Sequence, residues 1–400
     1  MKVIKFLIIS SLALATSTTL AAPPPAVGAE HEPFSKLLNP LIETRRLPGY
    51  FLSIRQAGED KVEKSQGFAD ERKGVQPSAE TIFAVGSMTE PLTATAVMLL
   101  VERGRLKLSD QLTQFLPEFS DLKVATDGSY ESGLSDLSEP ITLDHLLTHK
   151  AGFTLVERYS PTLSDVQKTY RSKGIFQHQS EHTSLAENIS ALAEVPLSNQ
   201  PGTYVLPSVS YDILARIVEI VSGMPYIAFL EKELLDPLGM TDTHFKVPPE
   251  KSTRVAAMHE PVVWGYNVPG TPKMYRQSVI SKRASMASEL VRGSTGIKSS
   301  ASDYLKFLDF LLGERSSAGV AMSTSSRLNL LSKIKSRQET QPDKANKSTS
   351  VLRQGAYNTA FWLDLPSRTS GVFMTQMNPA QFQVGEALLD LTANNFKKDS

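Results

Sequence analysis

The sequence predicts an α/β protein of the α+β type, in which an antiparallel sheet is flanked by helices and accompanied by a mainly helical domain. Strand patterns occur near both ends of the chain. Tyr50–Ile54 and Lys61–Ala69 predict a hairpin, and Gly355–Leu365 and Ser370–Gln376 predict a second pair of strands. Helical periodicity prevails between the two pairs, for example over Tyr211–Ser222. We therefore expect the two ends to build one sheet and the middle of the chain to build the helical domain.

Domain boundaries follow from this arrangement. We place the sheet domain at residues 33–115 and 290–400, and the mainly helical domain at residues 116–289. The stretch Pro248–Ser288 is irregular and contains several prolines, which predicts a lid-like surface region. Helices are predicted at the start and end of the sheet domain, over Pro33–Arg46, Tyr304–Leu312 and Pro379–Asn395.

The N-terminus has the pattern of a secretory signal peptide, which we assign to residues 1–21. Lys2 and Lys5 precede the apolar run Phe6–Ala15. A membrane anchor is the alternative, but the run is short for a membrane-spanning helix. Residues 22–32 are rich in proline and alanine and predict a flexible lead-in. We therefore expect a periplasmic or secreted protein with no membrane span after cleavage of the signal.

Charge and composition exclude one class of partner. The chain has 42 basic and 42 acidic residues, and removing the two lysines of the signal leaves 40 against 42, a net charge of −2. This balance gives no electrostatic reason to expect binding to nucleic acid. The hydrophobic fraction of 40% is ordinary for a folded domain, and the absence of cysteine excludes disulfides.

A central helix is predicted from the stretch that begins at Phe83 and runs to Gly104, where a helix C-terminus is expected. Its apolar residues recur at three- and four-residue steps: Leu92, Ala96, Leu99 and Leu100. Ser87 stands at the beginning of this helix. Backbone N–H groups and the helix dipole stabilise developing negative charge at such a position, so Ser87 is a candidate nucleophile for acyl transfer.

The segment Ser87-Met88-Thr89-Glu90-Pro91 resembles the S-x-x-K segment of serine β-lactamases and penicillin-binding proteins, in the branch of class C β-lactamases and related esterases. Relatives typically have Ser-Met-Thr-Lys-Pro here, so Ser87 matches the nucleophile and Glu90 replaces the lysine. Further phrases of the family occur in order at Leu146–His149 and Pro237–Met240. The resemblance covers about residues 33–395 and implies a β-lactamase/transpeptidase-like fold.

The second motif of the family has lost its tyrosine. Relatives commonly have Pro-Gly-Thr-x-x-x-Tyr-Ser-Asn, and this chain aligns at Pro201–Val209 with Pro207 in the tyrosine position. Proline has no side-chain proton to exchange. Tyr204 lies three residues away, and the sequence alone does not justify treating it as a substitute.

The third motif, Lys-Thr-Gly-Ala or Trp-Gly-Gly-Ala in relatives, aligns with Arg353-Gln354-Gly355-Ala356. The resemblance implies that the N–H groups of Ser87 and Ala356 form an oxyanion hole. It also implies a substrate-binding role for Arg353, Gly355 and Ala356, with Arg353 keeping a positive charge where some relatives have lysine.

Glu90 has three interpretations. Ser87-x-x-Glu90 matches a capping box, in which serine and glutamate satisfy each other's backbone N–H groups at a helix start. Glu90 is also a candidate catalytic base, although an ordinary carboxylate takes a proton from serine poorly. The third interpretation is contact with a ligand. We favour the capping box.

Two histidine pairs have the four-residue spacing of a helical metal site: His145 with His149, and His178 with His182. A third ligand is not apparent for the first pair, and the second pair lies in the polar stretch Gln177–Thr183. We therefore interpret the first pair as structural and the second as part of a solvated surface, and we expect neither a metal nor a cofactor.

Two functions follow from these motifs. The first is a ligand- or partner-binding homologue with lost or much reduced acyl-serine hydrolysis, whose ligand is a small acyl or ester compound or a cell-wall peptide. The second is an active serine esterase, peptidase or β-lactamase-like hydrolase that uses Ser87 with a rearranged base. The loss of both proton-transfer residues favours the first. A partner protein is not identified by the sequence.

Overall fold

A computed structural model describes residues 32–156, 162–176, 182–205, 208–261, 275–277, 290–314, 319–320, 322–335, 350–380 and 384–396. The predicted signal peptide lies outside these residues, as does the predicted lead-in apart from Glu32. Most of the predicted lid-like region also lies outside them.

The main sheet has five antiparallel strands in the order β2-β1-β9-β8-β7. Its strands are β1 Gly49–Gln56, β2 Glu59–Gly67, β7 Ser350–Gln354, β8 Ala360–Asp364 and β9 Thr369–Met374. Two strands come from the beginning of the chain and three from the end, and the predicted antiparallel sheet is confirmed. Two short antiparallel pairs join β3 Ile82–Ala84 to β6 Lys298–Ser300 and β4 His259–Pro261 to β5 Tyr275–Gln277.

The predicted strand Gly355–Leu365 is wrong in its first half. Residues 355–359 form a turn between β7 and β8, closed by a hydrogen bond from the Gly355 N–H to the Thr359 carbonyl at 2.7 Å. Asn358 in this turn has a φ of 65°, in the left-handed region that asparagine tolerates better than most residues. The chain therefore turns a corner directly after β7.

The α-helices are α1 Glu32–Glu43, α2 Thr89–Glu102, α3 Leu143–Leu147, α4 Asp165–Ser172, α5 Leu185–Ala193, α6 Ser210–Ser222, α7 Tyr226–Leu230, α8 Asp236–Leu238, α9 Ala301–Leu312, α10 Thr324–Lys335 and α11 Gly385–Asn395. A turn of π-helix, Glu231–Leu235, joins α7 to α8. The predicted helices at both ends of the chain are present, and the last begins later than its predicted start at Pro379.

Alternating residues of the strands divide the core into two layers. In β1, Tyr50, Leu52 and Ile54 pack with Phe34 of α1 and Leu388 of α11 on one face of the sheet. A larger cluster on the other face of the sheet contains residues of α2, α6 and α9. The strand residues that pack into it are Phe51, Phe361 and Val372. This alternation is the period of two that a strand imposes on its side chains.

Helix α2 is buried along almost its whole length, from Thr89 to Leu100. A helix that buries all its faces lies inside a protein core rather than at its surface. Gly104 follows the helix with a φ of 65°, as expected for a glycine just beyond a helix C-terminus. The element that carries Ser87 is thus anchored in the centre of the molecule.

Strand β3 carries the chain to Ser87. It pairs with β6 through Ala84 opposite Lys298. The Gln376 side chain accepts a hydrogen bond from the Ala84 N–H at 2.7 Å and donates one to the Ala84 carbonyl at 3.3 Å. Because Gln376 follows β9, this contact fixes the Ser87 segment to the main sheet.

Within the described residues, no single helix is long and apolar enough to cross a membrane. Helix α6 and the stretch Tyr226–Leu238 together have the length and composition of a membrane span, but the two are bent by 78° relative to each other. Both parts contribute buried side chains to the larger core, for example Ile213 and Leu234.

Candidate active site

Ser87 lies in a single turn of 3₁₀-helix, Gly86–Met88, immediately before α2. It is half-buried, whereas Gly86 and Met88 on either side are buried. Met88 is the N-cap of α2, and no side chain caps that end. The capping-box prediction is therefore wrong, because Ser87 precedes the N-cap and the Glu90 carboxylate lies against other side chains.

The turn that carries Ser87 packs against the corner that follows β7. A Cβ added to Gly86, which has a φ of 57°, would lie 2.8 Å from the Ala356 nitrogen. A Cβ added to Gly355 would lie 2.2 Å from the Val85 carbonyl oxygen. The Thr359 hydroxyl donates a hydrogen bond of 3.1 Å to the same carbonyl. The structure thus brings the Ser87 turn and the Gly355-Ala356 backbone into direct contact, and Ala356 is exposed to solvent. We call this contact the oxyanion side.

Glu90 lies in a buried group of titratable side chains. Its Oε2 atom is 3.6 Å from Nε2 of His149 and 3.9 Å from an Nη atom of Arg353. Glu90 is 4% exposed, and His149 and Arg353 are each 1% exposed. The three side chains come from α2, from the residues after α3 and from β7, and we call them the charged cluster.

Arg353 was predicted to bind substrate, and the structure places its guanidinium in the charged cluster against Glu90. The structure therefore gives Arg353 an ion-pair partner inside the protein. Gly355 and Ala356, from the same predicted substrate-binding motif, lie on the oxyanion side. The roles of all three residues toward a substrate stay predictions.

Residues of the second motif contact His149. The His149 carbonyl accepts a hydrogen bond of 2.9 Å from the Val205 N–H, and its Nδ1 atom is 3.3 Å from the Ser208 hydroxyl. The Tyr204 ring packs edge-on against the His149 ring with 6.3 Å between centroids. Pro207, in the family's tyrosine position, lies outside the described residues.

Tyr304 of α9 anchors the turn that contains Ser87. Its hydroxyl donates a hydrogen bond of 2.7 Å to the Met88 carbonyl. Burial raises the pKa of Tyr304 well above its ordinary value, and the nearby Glu90 adds to this effect while Arg353 opposes it. Tyr304 therefore stays protonated at neutral pH and serves as a fixed donor that anchors the turn.

The sequence did not assign a site role to His149 or Tyr304. His149 belongs to the Leu-Leu-Thr-His phrase, which the family places beside the site, and that phrase was the available signal. Tyr304 carries no motif, and only its hydrogen bond to the Met88 carbonyl reveals its position beside the site.

The histidine pairs do not form a metal site within the described residues, which contain no group of three or more potential ligands. His145 lies 3.9 Å from Glu139 and helps to cap α3. His182 is 3.0 Å from the Lys173 carbonyl, and His178 lies outside the described residues.

Chemically, the described site holds a hydroxyl at a helix start, backbone N–H groups beside it and a carboxylate where relatives have lysine. Backbone N–H groups can stabilise an oxyanion, and this role of Ser87 and Ala356 stays a prediction. The Glu90 carboxyl group lies 3.6 Å from His149 and 3.9 Å from Arg353, and a carboxylate cannot donate a proton while it is ionised.

Residues 34–392 match the profile of the family named Beta-lactamase. The chain is 30% identical over 272 residues to protein Rv1367c of Mycobacterium tuberculosis, covering 66% of this chain and 62% of that protein. It is 35% identical over 207 residues to esterase EstB of Burkholderia gladioli, covering 51% of this chain and 48% of the esterase. The chain thus spans less than two thirds of these relatives' lengths.

The fold is also similar to that of EstCE1, described as a hydrolase with promiscuous acyltransferase activity. The TM-score is 0.73 at 19% identity, and the match covers 92% of this chain and 98% of that one. This likeness confirms the predicted β-lactamase/transpeptidase-like fold. Together with the profile match and the position of Ser87 before α2, it shows that the chain belongs to the β-lactamase family of serine hydrolases, which includes esterases and penicillin-binding-protein-like members.

Proposed function

We propose that this protein is an exported member of the β-lactamase family that binds an acyl-bearing ligand with lost or much reduced hydrolysis. The ligand is a small ester or acyl compound or a cell-wall peptide, and it binds in the cleft at Ser87 and Ala356. The binding role rests on the oxyanion side, and the loss of turnover rests on the charged cluster.

The charged cluster is the observation that carries the proposal. Acyl transfer to serine requires a group that accepts the hydroxyl proton and a group that returns a proton to the leaving atom. In relatives a lysine and a tyrosine share this work. Here Glu90 stands in the lysine position, 3.9 Å from Arg353, and an ordinary carboxylate takes a proton from serine poorly. We infer that the cluster pairs charges inside the protein and does not replace the lysine as a base.

The oxyanion side supports binding because backbone N–H groups do not depend on side-chain identity. Glycine at positions 86 and 355 permits the close contact between the Ser87 turn and the Ala356 nitrogen. Donors placed in this way attract a carbonyl or carboxylate oxygen whether or not the serine reacts. The names of the relatives, an esterase and a hydrolase with acyltransferase activity, support an acyl compound as the class of ligand.

The alternative is a hydrolase that uses Ser87 with a rearranged base, and one observation favours it. His149 lies 3.6 Å from Glu90, and a histidine oriented by a carboxylate is the proton acceptor of many serine hydrolases. The Tyr204 ring beside His149 adds a second ionisable group.

Intact-mass measurement separates the two functions. Wild type and Ser87→Ala are incubated with penicillin and, separately, with a serine-directed phosphonate, and thermal unfolding is recorded in parallel. We expect penicillin to raise the unfolding temperature of the wild type without adding mass, since a ligand that binds only the folded state stabilises it. A mass adduct that forms on wild type but not on Ser87→Ala, and then disappears with time, would establish the hydrolase instead.

Export is proposed from the pattern of residues 1–21. The full chain is expressed in a bacterium, the periplasm is separated, and the N-terminus of the mature protein is sequenced. We expect the mature chain to begin at Ala22. Recovery of uncleaved protein in the membrane fraction would support the anchor instead.

A further inference from the structure

Asp212, in the first turn of α6, is a buried acidic residue outside the three motifs of the site. It is bonded to Arg292 and Ser294, which lie shortly before β6. We call residues 292–297 the bracing segment. We propose that Asp212 is a positioning residue for the Ser87 turn: it fixes the bracing segment, and the bracing segment fixes the turn. The inference goes beyond the proposed function, because it concerns the free protein and applies whether or not Ser87 reacts.

Asp212 holds two residues of the bracing segment through both of its carboxyl oxygens. Its Oδ2 atom accepts a hydrogen bond of 2.7 Å from an Nη atom of Arg292, and its Oδ1 atom accepts one of 3.3 Å from Arg292 Nε. Oδ1 also accepts a hydrogen bond of 3.1 Å from the Ser294 N–H, and the Ser294 hydroxyl lies 2.9 Å from both oxygens. An arginine bonded to both oxygens of a carboxyl group fixes its orientation as well as its position. Asp212 therefore constrains the segment at a side chain, Arg292, and at the backbone of Ser294.

The far end of the bracing segment contacts the chain on both sides of Ser87. The Ile297 carbonyl accepts a hydrogen bond of 3.1 Å from the Val85 N–H. The Ile297 N–H donates one of 3.4 Å to the Thr89 hydroxyl, and that hydroxyl donates one of 2.8 Å to the Gly86 carbonyl. Ile297 is thus bonded to the residue two positions before Ser87 and to the residue two positions after it. A shift of Ile297 would move both ends of the Ser87 turn.

Gly293, between the two residues that Asp212 binds, packs closely against two helices. Its carbonyl accepts a hydrogen bond of 2.6 Å from the Thr93 hydroxyl, one helical turn after Thr89 in α2. A Cβ added to Gly293 would lie 2.0 Å from the Tyr211 carbonyl oxygen, so the backbone of the segment lies directly on α6. The segment is therefore held between α2 and α6, and Asp212 provides side-chain bonds that join it to α6.

The consequence reaches the oxyanion side. Val85 precedes Gly86, whose backbone packs against the Ala356 nitrogen. Because the bracing segment is bonded to Val85, loosening the segment would let the Ser87 turn move relative to Ala356. Backbone donors stabilise an oxyanion best when they are held in place before it forms. Asp212 is 0% exposed, so it acts on the site through the backbone and not through contact with a ligand.

Asp364, at the end of β8, is a matched control. It is also buried, and it accepts hydrogen bonds from the Ser350 hydroxyl at 2.8 Å and from the Ser367 N–H at 3.2 Å. Strand β8 begins at Ala360, beside the corner that packs against the Ser87 turn, and Asp364 lies at its opposite end. Asp364→Asn should therefore lower the stability of the whole protein without loosening the Ser87 turn.

Hydrogen–deuterium exchange of the ligand-free protein, resolved to single amides, tests the proposal. The Val85 and Ile297 N–H groups report on the two contacts directly, and the amides of β1 and β9 report on global stability. We expect Asp212→Asn to speed exchange at Val85 and Ile297 by at least about tenfold more than at β1 and β9. Asp364→Asn should speed exchange equally at all of these amides.

A milder variant keeps the test decisive. Ser294→Ala removes one donor to Asp212 and leaves the Arg292 pair, so it should give a smaller change with the same pattern. It replaces Asp212→Asn if that variant does not fold. An increase that is uniform over the core, an unchanged rate at Val85 and Ile297, or an increase at these two amides that Asp364→Asn reproduces overturns the proposal. Neither penicillin binding nor ester hydrolysis enters the measurement, so its outcome is separate from that of the proposed function.

Discussion

The oxyanion side and the charged cluster are built from different parts of the chain. On the oxyanion side, backbone packs closely against backbone, with Gly86 against Ala356 and Gly355 against Val85. The charged cluster has Glu90 in the position where relatives have lysine. One side consists of backbone, and the other consists of side chains.

This difference indicates which parts of the site depend on packing and which depend on charge. The backbone of the oxyanion side is fixed by the packing that also holds the fold together, so disturbing it would cost stability. The charged cluster depends on the pairing of buried side chains, with Arg353 beside Glu90. The variants below test whether the two sides depend on packing and on charge as described.

The largest effect is expected for Glu90→Lys. Reversing this charge places a lysine beside Arg353 and His149, and breaking a buried ion pair typically costs about 3–5 kcal/mol. Urea unfolding measures the loss. The control is Glu43→Lys at the exposed end of α1, which should stay within about 0.5 kcal/mol of wild type. Equal losses in both variants would contradict the buried charge balance. Restoring the family's lysine alone therefore does not rebuild the family's site.

Gly86→Ala tests the close packing of the oxyanion side. Gly86 and Gly74 have similar φ values of 57° and 65°, but a Cβ at Gly86 would lie 2.8 Å from the Ala356 nitrogen, whereas one at Gly74 meets nothing within 4 Å. Gly74→Ala should cost about 1–2 kcal/mol for the left-handed conformation. Gly86→Ala should cost about 1–3 kcal/mol more, as overpacking does. Thermal and urea unfolding of both variants compare them, and a matched loss would mean that the corner can move away.

Lys298→Met tests a buried lysine of β6, the strand that pairs with β3. Lys298 pairs with β3 through its backbone, and its ammonium donates a hydrogen bond of 2.6 Å to the Phe245 carbonyl. Burial lowers the pKa of Lys298 to about 8. The unfolded chain therefore binds the proton more tightly than the folded protein above about pH 8, and wild-type stability should rise with pH relative to the variant.

The expected change is at most about 1.4 kcal/mol per pH unit between about pH 8 and 10. Urea unfolding of wild type and Lys298→Met across this range measures it. Lys246→Met, at an exposed neighbouring position, should show no such trend. A stability difference that stays constant with pH would show that Lys298 titrates normally.

The smallest effect is expected for Thr359→Val. This change removes the hydroxyl that donates to the Val85 carbonyl at 3.1 Å, and the same carbonyl also accepts from the Met88 N–H at 3.2 Å. Since one donor remains, the loss should be about 0.5–1.5 kcal/mol. Thr95→Val removes a similar bond within α2, to Pro91, and should cost as much. Only Thr359→Val should also weaken the stabilisation by penicillin; an equal weakening in both would argue against a role for this corner in binding.

The sequence predicted most of the fold, because its main signals are periodic and local. The apolar run of β1 and the helical spacing of apolar residues in α2 are visible in single segments. The motif order also predicted that Ser87 and Ala356 line one cleft; Gly86 lies against the Ala356 backbone, and the shared cleft stays a prediction. The first half of the strand Gly355–Leu365 was mispredicted because the strand pattern of the following residues outweighed the turn tendency of Gly355 and Asn358.

The charged cluster was not predictable in the same way. Ser87 and Glu90 match a capping box, which is a local pattern, but the partners of Glu90 come from distant parts of the chain. His149 was interpreted as structural because no third ligand was apparent to complete a metal site with His145. Burial and long-range charge pairing decided the conformation of Glu90, and neither is visible in a four-residue motif.

The central claim is that the oxyanion side survives without a working base. Hydrolysis of a nitrophenyl acetate by wild type and by Ser87→Ala, both checked for folding by thermal unfolding, tests it most directly. This ester needs little protonation of its leaving group, so even a poor base would be detected. We expect wild type and Ser87→Ala to hydrolyse the ester at the same rate, because the hydrolysis that remains does not depend on Ser87. A wild-type rate tenfold or more above that of Ser87→Ala would contradict the claim and establish Ser87 as a working nucleophile.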